Sequence, residues 1–129
     1  MTAYNVEKLP DLPVIVVTVL EDWDSGRDAP LALDSVTAFL DETEEPLYYC
    51  SDLTQSPRWG LSDVISVANL AARGRNIAKH PKLKGVIAIT TDKMIDLAAR
   101  GMNSEVFGHL SITVFPTLDE ALESLRSEG

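Results

Sequence analysis

Seven consecutive residues, Val14 to Leu20 (VIVVTVL), constrain this chain more than any other stretch. Six of the seven are β-branched, a class that is stiff at χ1 and suits the pleated backbone. A strand sends alternate side chains to opposite faces, and here both sets are apolar. Such a strand belongs in the middle of a sheet, where both faces are buried.

The rest of the chain alternates between strand-like and helix-like patterns. Tyr4–Leu9 reads as a short edge strand, bounded by Pro10 and Pro13. EDWDSGRDAP (21–30) reads as a loop, with Asp28 capping a helix that has Pro30 in its first turn and runs to about Glu42. Leu47 begins a third strand extending to about Leu53. Leu61, Val64, Ile65, Ala68 and Ala72 recur at helical spacing before Gly74, a C-terminal stop. Val86–Thr90 reads as a fourth strand, and Thr91 or Asp92 caps a helix through Arg100 with Gly101 as its terminator. Met102–His109 reads as a short helix or an irregular loop, and Leu110–Phe115 as a fifth strand. Thr117 and Glu120 form a capping box that opens a last helix through Leu125. The order is ββαβαβαβα: one α/β domain spanning residues 1–129, with a mixed, mostly parallel sheet.

Charge narrows the function classes. Among 129 residues the net charge is −9, which disfavours nucleic-acid binding, since phosphate contacts need clustered cations. Residues 1–64 carry 13 acidic and 3 basic side chains, whereas residues 65–129 carry 7 and 8. Arg73, Arg75, Lys79, Lys82 and Lys84 form a run free of acids. It is a solvated face, an anion-binding patch, or one half of a homodimer contact with the acidic half. No apolar run has the ~20 residues of a membrane span, and the N-terminus lacks the pattern of a secretory signal. With a single cysteine, these features lead to the expectation of a cytoplasmic protein.

Candidate chemistry is sparse. Asp22, Asp24, Gly26 and Asp28 resemble a calcium loop, but the glycine falls one position early and the twelfth position is Leu33 rather than Glu. Asp22, Asp52, Thr90 and Thr91 end strands as in a phosphoacceptor receiver, yet no lysine follows the last strand to neutralise an acyl phosphate. Cys50 lies inside an apolar strand, as a small buried hydrophobe does. His80 and His109 have no ligand-like spacing, and the glycines fit no phosphate loop. Neither a metal nor a cofactor is expected, and the protein is read as not an enzyme.

Two features stand out around the turn QSPRWGLSD (55–63). Trp59, flanked by Arg58 and Gly60, either tucks onto the core or is presented to a partner, because Trp and Arg are common interface anchors. Asn69, Arg73 and Asn76 share a helix face on which Asn69 and Arg73 could meet a ligand or a partner.

The strand order, the aspartate-ended strand YYCSDLTQ, the helix opening at Leu61 and the ending VFPTLDEALESL together resemble the STAS superfamily. That is the domain of sulfate transporters and of anti-anti-sigma factor antagonists. More narrowly, the chain resembles small bacterial proteins of the sporulation stage II AA-like type. The resemblance implies helices packed mainly on one face and a regulatory module acting through protein contacts. It also implies a phosphorylated serine at the start of the helix after the third strand. The corresponding corner here is longer than the Asp-Ser-Ser/Gly-Gly turn of regulatory members. Ser62 occupies the matching position, where serine also serves as an ordinary N-cap, and Ser56 before Pro57 is a second candidate. The leading expectation is a non-catalytic regulatory or protein-interaction module. A carrier of an anionic or lipid-like small ligand comes next, and an enzyme of unknown class last.

Overall fold

The doubly apolar run becomes the strand second from one edge of a five-stranded sheet. In the computed structural model, which describes residues 3–56, 59–70, 80–101 and 112–128, the sheet has the order β1-β2-β3-β4-β5. The strands are β1 (Tyr4–Lys8), β2 (Val14–Val19), β3 (Leu47–Asp52), β4 (Leu83–Ile89) and β5 (Ile112–Phe115). β1 pairs antiparallel with β2, with Val6 opposite Val17, and every later pair is parallel. The helices are α1 (Ser25–Glu42), α2 (Leu61–Asn69), α3 (Lys93–Gly101) and α4 (Leu118–Glu128). The observed order is the expected ββαβαβαβα.

The period-two alternation of β2 divides the core. Ile15 and Val17 face α1, packing with Ala32, Leu33, Val36, Leu40, Leu47 and Tyr49. Val19, on the same side, joins Leu53, Trp59, Val64 of α2 and Ile95 of α3. Val14 and Val16 face the other way, against Cys50, Ile87, Ile89 and α4 through Ala121 and Leu125. Among the described residues, three helices therefore cover one face and a single helix the other.

Several boundaries differ from expectation, each for a local reason. α1 starts at Ser25, three residues before the expected cap, because Asp24 takes the capping role. Its side chain accepts from Arg27 N at 3.1 Å, and its carbonyl accepts from Asp28 N at 2.7 Å. Asp28 is instead buried inside the helix and turns its carboxylate back onto Asp24 N at 2.9 Å. Pro30 falls in the second turn, where it forgoes the bond to the Gly26 carbonyl. β4 begins at Leu83 rather than Val86, since Leu83 pairs with Leu47 and a register shift follows between Leu47 and Tyr48. Gly85 thus lies within the strand. Asp92 caps α3, accepting from Met94 N at 2.8 Å and Ile95 N at 3.2 Å, and Gly101 is its last residue rather than a terminator beyond it. Thr117 accepts from Glu120 N at 3.2 Å at the start of α4. The expected stop at Gly74 and the segment Met102–His109 lie outside the described residues.

Leu40, fully buried between α1 and the sheet, tests this packing. Leu40→Ala is expected to lower the unfolding free energy by about 2–5 kcal/mol in urea titrations, through lost transfer energy and the cavity left behind.

Candidate functional site

Parallel strands end on a common rim, where ligands and partners meet α/β sheets. Here the rim is assembled from three connections: residues 20–24 after β2, residues 53–56 and 59–60 after β3, and residues 90–92 after β4. Its centre is a chain of hydrogen bonds that joins two helix starts. Trp23 Nε1 donates to Ser25 Oγ at 2.8 Å, and Ser25 Oγ donates to Asp63 Oδ1 at 2.7 Å. Asp63 Oδ2 accepts from Gly60 N at 2.9 Å. One carboxylate therefore closes the first turn of α2 and ties it to the first turn of α1. Above it, Tyr4 and Trp23 meet edge to face at 5.7 Å, and Trp23 meets Trp59 at 6.3 Å, contacts worth about 0.5–1.5 kcal/mol each.

The carboxylates at the strand ends are held by their own turns. Asp52 is buried, and its Oδ1 accepts from Thr54 N at 3.0 Å and Thr54 Oγ1 at 2.7 Å, an Asx turn that leads the chain away from the sheet. Thr90 is also buried and accepts from Asp92 N at 3.1 Å. Asp24 and Asp28 serve the start of α1, and Arg27 grips Asp28 through Nε at 3.0 Å and a terminal nitrogen at 2.9 Å. Among the described residues no three His, Cys, Asp or Glu side chains are grouped to hold a metal ion.

The sequence candidates separate on this frame. Ser62 is not the cap of α2: Gly60 holds that position, because its extended backbone and the Asp63 carboxylate satisfy the turn. Ser62 is instead the second residue of the helix, with its side chain exposed. Ser56 is buried, and its carbonyl accepts from Trp59 N at 3.1 Å. Trp59 is not a surface anchor in this structure. It is 8% exposed and packs against Val19, Leu53, Val64 and Ile95, since an indole gains more from apolar cover than from water. Its Nε1 is buried with no hydrogen-bond partner among the described residues, at a cost of about 1–3 kcal/mol. Asn69 is half-buried at the end of α2. Arg58, Arg73, Arg75, Lys79, Asn76 and His109 lie outside the described residues.

The other polar residues weighed for chemistry are engaged locally. His80 Nδ1 accepts from Lys82 N at 3.0 Å, which leaves the proton on Nε2 for Asp41 Oδ1 at 2.8 Å. Lys82 Nζ donates to the Glu44 carbonyl at 3.0 Å, and Lys84 lies 5.3 Å over the Tyr48 ring. Both lysines of the basic run that are described thus meet residues of the acidic half within the same chain. Burial, with Asp52 nearby, pushes the Cys50 thiol up to about 12, too high for a working thiolate.

Sequence reasoning missed Ser25, Asp63 and Trp23. Gly60 and Asp63 have the spacing of a capping box, which would have marked Asp63 as a helix-start residue. The Ser25–Asp63 bond joins residues 38 apart and has no local signal.

A sheet with one antiparallel edge, covered among the described residues by three helices on one face and one on the other, is a SpoIIAA-like fold. The chain superposes on an anti-sigma factor antagonist from Mycobacterium paratuberculosis with a TM-score of 0.54 and 24% identity, over 95% of this chain and 92% of that one. An uncharacterised Shewanella loihica protein with a SpoIIAA-like fold gives a TM-score of 0.57 and 21% identity, again over 95% and 92%. No protein-family model and no curated protein matches the chain. No helix among the described residues is long and apolar enough to cross a membrane.

Two outcomes test this electrostatic reading. The Arg27 guanidinium holds the Asp28 carboxyl below its ordinary value of 3.8, against the opposing effect of burial. A carboxyl depressed in the folded state stabilises fully above the unfolded value, and that contribution disappears as pH falls towards the folded value. Urea unfolding should therefore show stability falling as pH drops towards and below 3.8, with the slope reduced in Asp28→Asn. Cys50 should resist a thiol reagent at about pH 8 in the native protein and react once urea unfolds it.

Proposed function

We propose that the protein is a non-catalytic regulatory module of STAS-like type, acting by protein contact at the start of α2, with Ser62 as its phosphorylation site. The observation that carries this reading is the placement of Ser62. It is exposed in the first turn of a helix whose cap, Gly60, offers no side-chain oxygen. A phosphoryl group there adds roughly −1.5 to −2 charges next to the positive end of the helix dipole. It would also stand beside Asp63, which holds α2 to α1, so modification would load the joint between the two helices. The likeness to an anti-sigma factor antagonist supports a regulatory role acting on a protein partner. Ser56 is the secondary candidate, because a kinase would need the turn to open before reaching it.

One observation favours the second reading, a small-ligand carrier. Trp59 Nε1 is a buried donor without a partner among the described residues, and a bound acceptor would satisfy it.

Native mass spectrometry of the protein isolated from its own host separates the readings. A phosphate-sized increment that maps to Ser62 and vanishes in Ser62→Ala is the expected result. Unmodified protein under every growth condition would overturn the phosphoswitch. A non-covalent adduct lost in Trp59→Phe would favour the carrier.

A further inference from the structure

The pairing of β1 with β2 fixes which backbone groups of β1 face outward. Leu20 N donates to the Ala3 carbonyl at 2.9 Å, and Leu9 N donates to the Val14 carbonyl at 3.1 Å. Both bonds fall on the register that sets Val6 opposite Val17. In an antiparallel ladder, alternate residues direct both N–H and C=O to the partner strand. Ala3, Asn5, Glu7 and Leu9 are therefore turned towards β2, and Tyr4, Val6 and Lys8 towards the open edge. The outward N–H and C=O groups of those three residues have no hydrogen-bond partner among the described residues.

Sheet edges are commonly guarded by a proline, a bulge, a projecting lysine or a covering helix. β1 contains no proline and pairs without a bulge. Lys8 is tied through Nζ to the Leu9 carbonyl at 3.1 Å, and exposed Glu7 lies on the face away from α1. The cluster under α1 draws on Tyr4 and Val6 of β1, Ile15 and Val17 of β2, and Leu47 and Tyr49 of β3. The helix is therefore centred on β2, one strand in, and leaves the edge open.

We propose that a second copy of this chain adds its own β1 to this edge, antiparallel, about a two-fold axis through Val6. In that register the strand is complementary to itself. Tyr4 faces Lys8 of the other copy, Asn5 faces Glu7, and Val6 faces its own equivalent. Outward residues meet outward residues, so Val6 exchanges both backbone bonds with its equivalent, and each Tyr4–Lys8 pair does the same. No charge stands opposite its like. Centring on Glu7 would set that carboxylate against itself, and centring on Asn5 would carry Lys8 past the end of the other strand. The two α1 helices then lie on one side of a continuous sheet, about three strand spacings or ~14 Å apart, clear of collision. The contact closes at two subunits, whereas β1 meeting β5 of another copy would repeat head to tail without end. It is independent of the regulatory reading, because Ser62 lies on α2, which packs between α1 and α3.

Cysteine pairing reads the register directly. Asn5 and Glu7 are exposed and would form a non-hydrogen-bonded pair across the axis, with Cα atoms about 4.5 Å apart, within reach of a disulfide. An equimolar mixture of Asn5→Cys and Glu7→Cys chains, gently oxidised at about 100 µM, should give a disulfide dimer whose mass contains one of each. Either variant alone should cross-link far more slowly, because like positions lie on diagonals about 7–8 Å apart. Native Cys50 is buried and adds no background. Sedimentation velocity from about 1 to about 300 µM should show the wild type as a weak, reversible dimer. Lys8→Pro removes an outward N–H without touching the ladder to β2, and should raise the dissociation constant about tenfold or more. Far-ultraviolet circular dichroism would confirm that each variant folds. A wild type that stays monomeric, a dimer indifferent to Lys8→Pro, or cross-linking no faster in the mixture than in the single variants would overturn the proposal.

Discussion

A strand that is apolar on both faces cannot rest until both are covered, and the architecture follows from that requirement. β2 sends Ile15, Val17 and Val19 to one side and Val14 and Val16 to the other, all buried. At roughly 25 cal/mol per Å² of apolar surface removed from water, neither set can be left exposed without a large loss of stability. The first is covered by α1, α2 and α3, and the second by α4. Parallel pairing from β2 onward follows from placing a helix between successive strands, because a crossover must return the chain to the same end of the sheet. β1 escapes that pattern by folding back directly along β2, which leaves an alternating strand with Asn5 and Glu7 exposed at the edge.

The parallel arrangement brings polar groups together at one rim, and there the chain spends them on structure. Asp24, Asp52, Asp63 and Asp92 each satisfy backbone donors at a turn or helix start. Such donors would otherwise be orphaned at the first turn of every helix. Asp63 does more, since its second oxygen reaches Ser25 and fixes α2 relative to α1. That joint positions the outward faces of both helices, which is where exposed Leu31, Ile65 and Ser62 are found. Charge follows the same economy: Lys82, Lys84 and His80 contact the acidic half of their own chain.

Much of the fold was legible in the sequence because the signals are local and periodic. The β-branched run, the helical spacing of Leu61, Val64 and Ile65, and the Thr117–Glu120 box report the physics of their own segments. Where two local signals competed, the reading slipped. Asp24 and Asp28 are both acceptable caps, and Pro30 favoured the later one. The structure selects Asp24 because Asp28, once buried, can both accept from Asp24 N and pair with Arg27. Ser62 likewise has the chemistry of a cap, but Gly60 is already extended and served by Asp63.

Sequence alone determined the element order, the mostly parallel sheet and the inert setting of Cys50, since each depends on side-chain chemistry repeated over a few neighbouring residues. Tertiary structure decided that Trp59 is covered and Ser62 exposed, that Ser25 and Asp63 meet, and that Leu31, Ile65, Met94 and Leu97 stay exposed on their helices. These are relations between segments tens of residues apart. They come into being only when the helices settle on the sheet, because burial and contact are properties of the packed chain and not of any one stretch of it.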